Sequence, residues 1–71
     1  MMKVVFIEVI RGFWKNSYKE LGSKEMNIIP IAGDVIQRDG SNWKVILRRF
    51  MFDTSDHGDY VKLYIEPYRI Y

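Results

Sequence analysis

Ile29-Pro-Ile-Ala-Gly-Asp-Val-Ile-Gln-Arg-Asp-Gly-Ser-Asn-Trp-Lys-Val-Ile-Leu47 is the stretch whose reading decides the architecture. Pro30 and the Gly33-Asp34 pair open a short apolar run, and Asp39-Gly40 turns the chain into a second run that begins at Trp43. Asp-Gly suits a two-residue hairpin turn because both positions need positive φ, which glycine adopts freely and aspartate tolerates. Pro30 has no N–H for a ladder, which makes a strand of residues 28–31 and 34–38 a sheet edge or a strand entry at that point. A tight antiparallel hairpin of this kind belongs to a small β domain.

Outward from the hairpin, residues 42–53 form the next strand, with Trp43, Val45 and Leu47 on one face. Strict alternation would then bury Arg49 and expose Phe50 and Phe52. One extra residue at Arg48-Arg49 returns both rings to the inner face, so a β-bulge is expected there. Residues 60–66 alternate cleanly: Val61, Leu63 and Ile65 inward, Tyr60, Lys62, Tyr64 and Glu66 outward, with Pro67 as the stop. The tail from Tyr68 to Tyr71 adds a short strand or crosses the barrel mouth.

Towards the N-terminus, residues 2–11 are dense in β-branched and aromatic types. Val5, Ile7 and Val9 share one face; Val4, Phe6, Glu8 and Ile10 share the other. Two apolar faces suit a bent strand covered on both sides. Residues 12–27 read as a long loop with at most one helical turn at 17–21, from the capping-box spacing of Ser17 and Glu20 and the stop signal of Gly22. The expected fold is therefore all-β, a single domain over residues 1–71. An SH3-like barrel of four or five antiparallel strands is favoured, with an OB-like barrel as the alternative.

Composition narrows the function. Seventy-one residues with 48% apolar and 15% aromatic content make one small core. The absence of cysteine excludes disulfides and thiolate zinc sites. A net charge of +2 is an ordinary solubility margin. Glu8 interrupts the N-terminal apolar run, bulky Phe13-Trp14 follows where a signal peptide needs small residues, and no run reaches the ~18 residues of a membrane span. A soluble, cytoplasmic protein is expected.

The hairpin block resembles a pattern found in small SH3-like barrel proteins of bacteria and phages. Its elements here are Pro30, Gly33-Asp34, Val35-Ile36, Gly40, Trp43 and Val45, and Val61-Lys-Leu-Tyr-Ile-Glu66 resembles their closing strand. The resemblance covers the C-terminal half and implies a binding module that takes proteins, peptides or nucleic acids.

Chemistry-bearing clusters are few. Asp53-Thr-Ser-Asp-His-Gly-Asp59 gathers three carboxylates and the single histidine, yet lacks calcium-loop spacing and reads as a turn. One histidine and no cysteine remove most nucleophile–base arrangements, so no enzyme, metal or cofactor is expected. Two surfaces remain. Phe13, Trp14, Tyr18, Tyr60 and Tyr64 are surplus aromatics of interface type, which points to a partner protein. A phage or mobile-element protein that occludes a host protein fits that reading, and self-association through a strand edge is its runner-up. Lys44, Arg48, Arg49 and Lys62, with tyrosines between them, form the alternative: one basic–aromatic face that binds nucleic acid.

Overall fold

The computed structural model describes residues 1–52 and 58–69, and those residues are all-β. Five strands follow in order: β1 (Met2–Ile10), β2 (Ser17–Met26), β3 (Val35–Arg38), β4 (Ser41–Met51) and β5 (Tyr60–Pro67). They form one sheet of order β2-β1-β5-β4-β3, curled into a half-barrel. The expected class, a small barrel-like β domain, stands. No helix among the described residues is long and apolar enough to cross a membrane.

Three of the pairings are antiparallel, as expected, and one is not. β1 runs parallel to β5, from Lys3↔Tyr60 to Glu8↔Ile65. The reason is directional. β2 returns antiparallel to β1, the segment 27–34 carries the chain to the opposite edge, and the β3–β4–β5 meander brings β5 back in the sense of β1. A parallel pair needs a long crossover, and here everything between β1 and β5 supplies it.

β1 is therefore a central strand with apolar residues on both faces. Val4 and Phe6 enter the concave side, where they pack with Val45, Val61, Leu63 and Ile65. Val61, Leu63 and Ile65 are all 0% exposed, the inward set read from their alternation. Leu21, Met26, Ile29, Ile36 and Trp43 flank this core. Val5, Ile7 and Val9 point to the convex side and are also buried.

Residues 17–21 do not form a helical turn and 12–27 is not a loop: Ser17–Met26 is strand β2. One helical turn has little stability of its own, whereas the open edge of β1 offers this segment a ladder of nine residue pairs. The ladder slips between Phe6 and Ile7 because Leu21 is an extra residue that turns into the core. Gly22 makes that bulge feasible. Its φ is 133°, and a Cβ there would sit 3.3 Å from the Arg38 guanidinium.

The hairpin holds as read. Asp39 (φ 52°) and Gly40 (φ 79°) both take positive φ between Arg38 and Ser41, the requirement of a two-residue turn matched to strand twist. Residues 28–31 are not strand. Pro30 leads instead into a turn in which the Asp34 N–H donates to Ile31 O (3.0 Å), while Asp34 Oδ2 accepts from the Ile31 N–H (3.0 Å). The Gly33 N–H then donates to Val45 O and the Val45 N–H to Asp34 O, both at 2.8 Å. At the other end, the Tyr68 N–H donates to Asn42 O.

A bulge does interrupt β4, but at Ile46 rather than Arg48-Arg49. Phe50 consequently pairs with Val61 on the concave side, as expected, and Leu47 moves to the convex side beside Tyr64. Phe50 and Phe52, the latter beyond the end of β4, both stay exposed rather than packing inward. The residue that slips is the one nearest the last β3-side hydrogen bond, at Val45.

Arg38 bridges the two edges of the half-barrel. From β3 its Nη2 donates to Leu21 O on β2 (3.0 Å), and its guanidinium lies 5.3 Å from the centre of the Phe6 ring. Arg38→Ala is expected to cost about 1–2 kcal/mol, from one charge-assisted hydrogen bond and one cation–π contact. Leu63→Ala is expected to cost about 2–5 kcal/mol as a core cavity. Urea unfolding measures both, and the smaller loss belongs to Arg38.

Candidate binding surface

The convex face is built by the ladders. Paired residues share a face, so Ile7, Tyr64 and Leu47 form one row across β1, β5 and β4, and Val5, Lys62 and Arg49 form the next. β2 adds Tyr18 opposite Val9 and Glu20 opposite Ile7. Together these strands shape a groove of about 590 Å³ over buried Ile7 and Val9, lined also by Tyr18, Leu47 and Tyr64. Tyr18 and Tyr64 meet edge to face, with ring centres 5.8 Å apart.

Its charge is one-sided. Arg11, Arg49 and Lys62 line the groove, and among the described residues no acidic side chain lines it, Glu20 standing beyond Ile7 on the outer strand. The Arg11 Nε donates to Glu66 Oε2 at 2.9 Å, an exposed ion pair worth little. Arg49 and Lys62 stand directly opposite each other across the β4–β5 ladder. Neither has a carboxylate within ion-pair distance among the described residues. Like charges in that position weaken a sheet.

Arg11 and Asn16 bracket the β1–β2 loop, which carries Phe13 and Trp14 at its tip. Those two rings are 89% and 90% exposed and touch each other edge to face at 4.8 Å. Gly12 sets the loop's shape: a Cβ there would collide with Lys15 O.

Of the aromatics singled out by sequence, Tyr18 and Tyr64 line the groove, and Phe13 and Trp14 project from the adjoining loop. Tyr60 sits apart, two rows along β5 beside Lys3 and Met51. The four basic residues do not share one face. Lys44, Arg49 and Lys62 lie on the convex side, whereas Arg48 pairs with core residue Leu63 and so belongs to the concave side, its guanidinium 5.0 Å from the Phe50 ring centre. The Ile46 bulge reverses the register that would have aligned them. Sequence reasoning missed Leu47, Ile7, Val9 and Arg11 as groove residues. The two apolar faces of β1 were the available signal for Ile7 and Val9. The Asp53–His57 part of the acidic loop lies outside the described residues.

Much apolar surface stays in contact with solvent. Phe13, Trp14, Tyr18, Ile28 and Phe52 are all exposed. No protein family, curated protein or solved structure matches the chain.

Trp14 and half-buried Trp43 report on different environments. Phe13→Ser with Trp14→Ser is expected to change unfolding free energy by no more than about 0.5 kcal/mol, as for surface sites. The remaining tryptophan emission should shift to the blue and resist acrylamide quenching. A large stability loss would place both rings in the core.

Proposed function

We propose that this chain is a non-enzymatic, SH3-like protein-binding module whose convex groove and adjoining loop grip a partner protein. The observation that carries the reading is the continuity of two exposed aromatics, Phe13 and Trp14, with an apolar groove whose cations Arg49 and Lys62 have no carboxylate within ion-pair distance among the described residues. Aromatic residues and arginine dominate the energetics of protein interfaces, and exposed aromatic clusters of this kind are otherwise a solubility liability. The Arg49–Lys62 juxtaposition costs the isolated sheet stability, and a partner's carboxylates would relieve it. A typical interface takes about 800 Å² from each side, which one face of a body 39 × 29 × 19 Å can supply. Compactness, and a single histidine with no cysteine in the sequence, suit a cytoplasmic phage or mobile-element protein that occludes a host protein.

A second reading has its own support. Lys62 and Arg49 lie between Tyr60 and Tyr64 on the convex face, an arrangement that can stack bases and follow phosphates. The displacement of Arg48 to the other face removes one of its four cations.

Affinity capture from host-type lysate, with and without nuclease, separates the two. The protein-binding reading expects one stoichiometric protein that survives nuclease and is lost with Trp14→Ala plus Tyr64→Ala, while the variant keeps its fold. Material that disappears with nuclease, and whose binding falls steeply with salt through counterion release, would transfer the function to nucleic acid.

A further inference from the structure

β4 has an open edge. On the side away from β5 it pairs with β3 only over Ser41–Lys44, and the last backbone bonds there are those of Val45 with Gly33 and Asp34. From Leu47 to Met51, no described strand covers that side, although β5 covers the other throughout. Half of the backbone N–H and C=O groups in such a segment face outward and can template an added strand.

The side chains along this edge are not those of a protected one. Leu47 is 51% exposed on the convex side, and Phe50 and Phe52 stack on each other with ring planes 7° apart, both exposed. Between them stand Arg48 and Arg49, adjacent in sequence and therefore on opposite faces. Neither has a carboxylate within ion-pair distance among the described residues. The edge thus presents one cation to each face, flanked by apolar groups.

That pattern selects its occupant. A second copy adding edge to edge about a two-fold axis at Arg48 or at Arg49 would pair β4 with itself, antiparallel, and set that arginine against its own counterpart on the same face. Cross-strand like charges disfavour that arrangement. A strand with two adjacent acidic residues offers one carboxylate to Arg48 on the concave side and one to Arg49 on the convex side. Apolar neighbours on that strand would cover Leu47 and the Phe50–Phe52 stack.

We propose that the β4 edge from Leu47 to Met51 binds an extended acidic peptide segment as a sixth strand, read by adjacent carboxylates opposite Arg48 and Arg49. The site shares Leu47 and Arg49 with the convex groove but adds Arg48 and the open backbone edge of β4, which the groove does not use, so slowed exchange along Leu47–Met51 separates it from binding in the groove.

The test uses the full chain and a fluorescein-labelled octapeptide with two central glutamates flanked by valine and tyrosine, against the same peptide with two lysines. Anisotropy is expected to show saturable binding of the glutamate peptide, with the lysine peptide weaker by about tenfold or more, the combined effect of two charge pairs. In Arg48→Glu plus Arg49→Glu that preference should reverse, which a merely unfolded variant cannot do. Amide exchange should slow at alternate residues of Leu47–Met51 in the complex. Absent binding, equal binding of both peptides, or protection confined to β2 would overturn the proposal. So would sedimentation showing a dimer of the free protein that already protects the β4 edge.

Discussion

The parallel ladder between β1 and β5 is the constraint on which the rest of this small fold depends. It places the two most apolar strands side by side, so Val4, Phe6, Val61 and Leu63 face one another with little or no exposure. It also leaves β2 and β3 as the two outer strands of a single sheet. Such a sheet cannot bury a core by stacking on a second layer. It has to curl, and the Leu21–Gly22 bulge on one side and the Ile46 bulge on the other are suited to bending strands in this way. Arg38 then links the outer strands through a side chain instead of a continuous backbone ladder.

The same constraint creates the convex surface. Making β1 central gives it buried residues on both faces, and among the described residues no second layer covers the convex set, Val5, Ile7 and Val9. Neighbouring tyrosines and long cationic side chains shield it in part, and the groove is what they leave uncovered. A domain of 71 residues has few apolar side chains to spare. That several remain exposed beside the convex groove and on the β1–β2 loop is what supports the proposed partner-binding surface.

How much of this was legible in the sequence follows from how local each signal is. The Asp39-Gly40 turn and the Val61, Leu63, Ile65 alternation depend on neighbours within a few residues, and both stand in the structure. β2 was illegible because Ser17-Tyr-Lys-Glu-Leu-Gly carries a plausible local helix cap, while its strand form depends on the distant edge of β1. The sense of β5 relative to β1 is a property of the whole path and has no local signature. The β4 bulge shows an intermediate case. The need to return Phe50 to the concave face was readable, but two positions served it, and only the register against β5 distinguishes Ile46 from Arg48-Arg49. That difference moved Leu47 into the candidate site and Arg48 out of the basic face.

The measurement that tests the central claim most directly is a nuclear Overhauser map of the β1–β5 ladder in isotopically labelled protein. Parallel pairing predicts contacts whose positions rise together along both strands: Val4 with Val61, Phe6 with Leu63, Glu8 with Ile65. Contacts that run in opposite senses, with the start of β1 meeting the end of β5, would contradict it and dissolve both the groove and its row of Ile7, Tyr64 and Leu47.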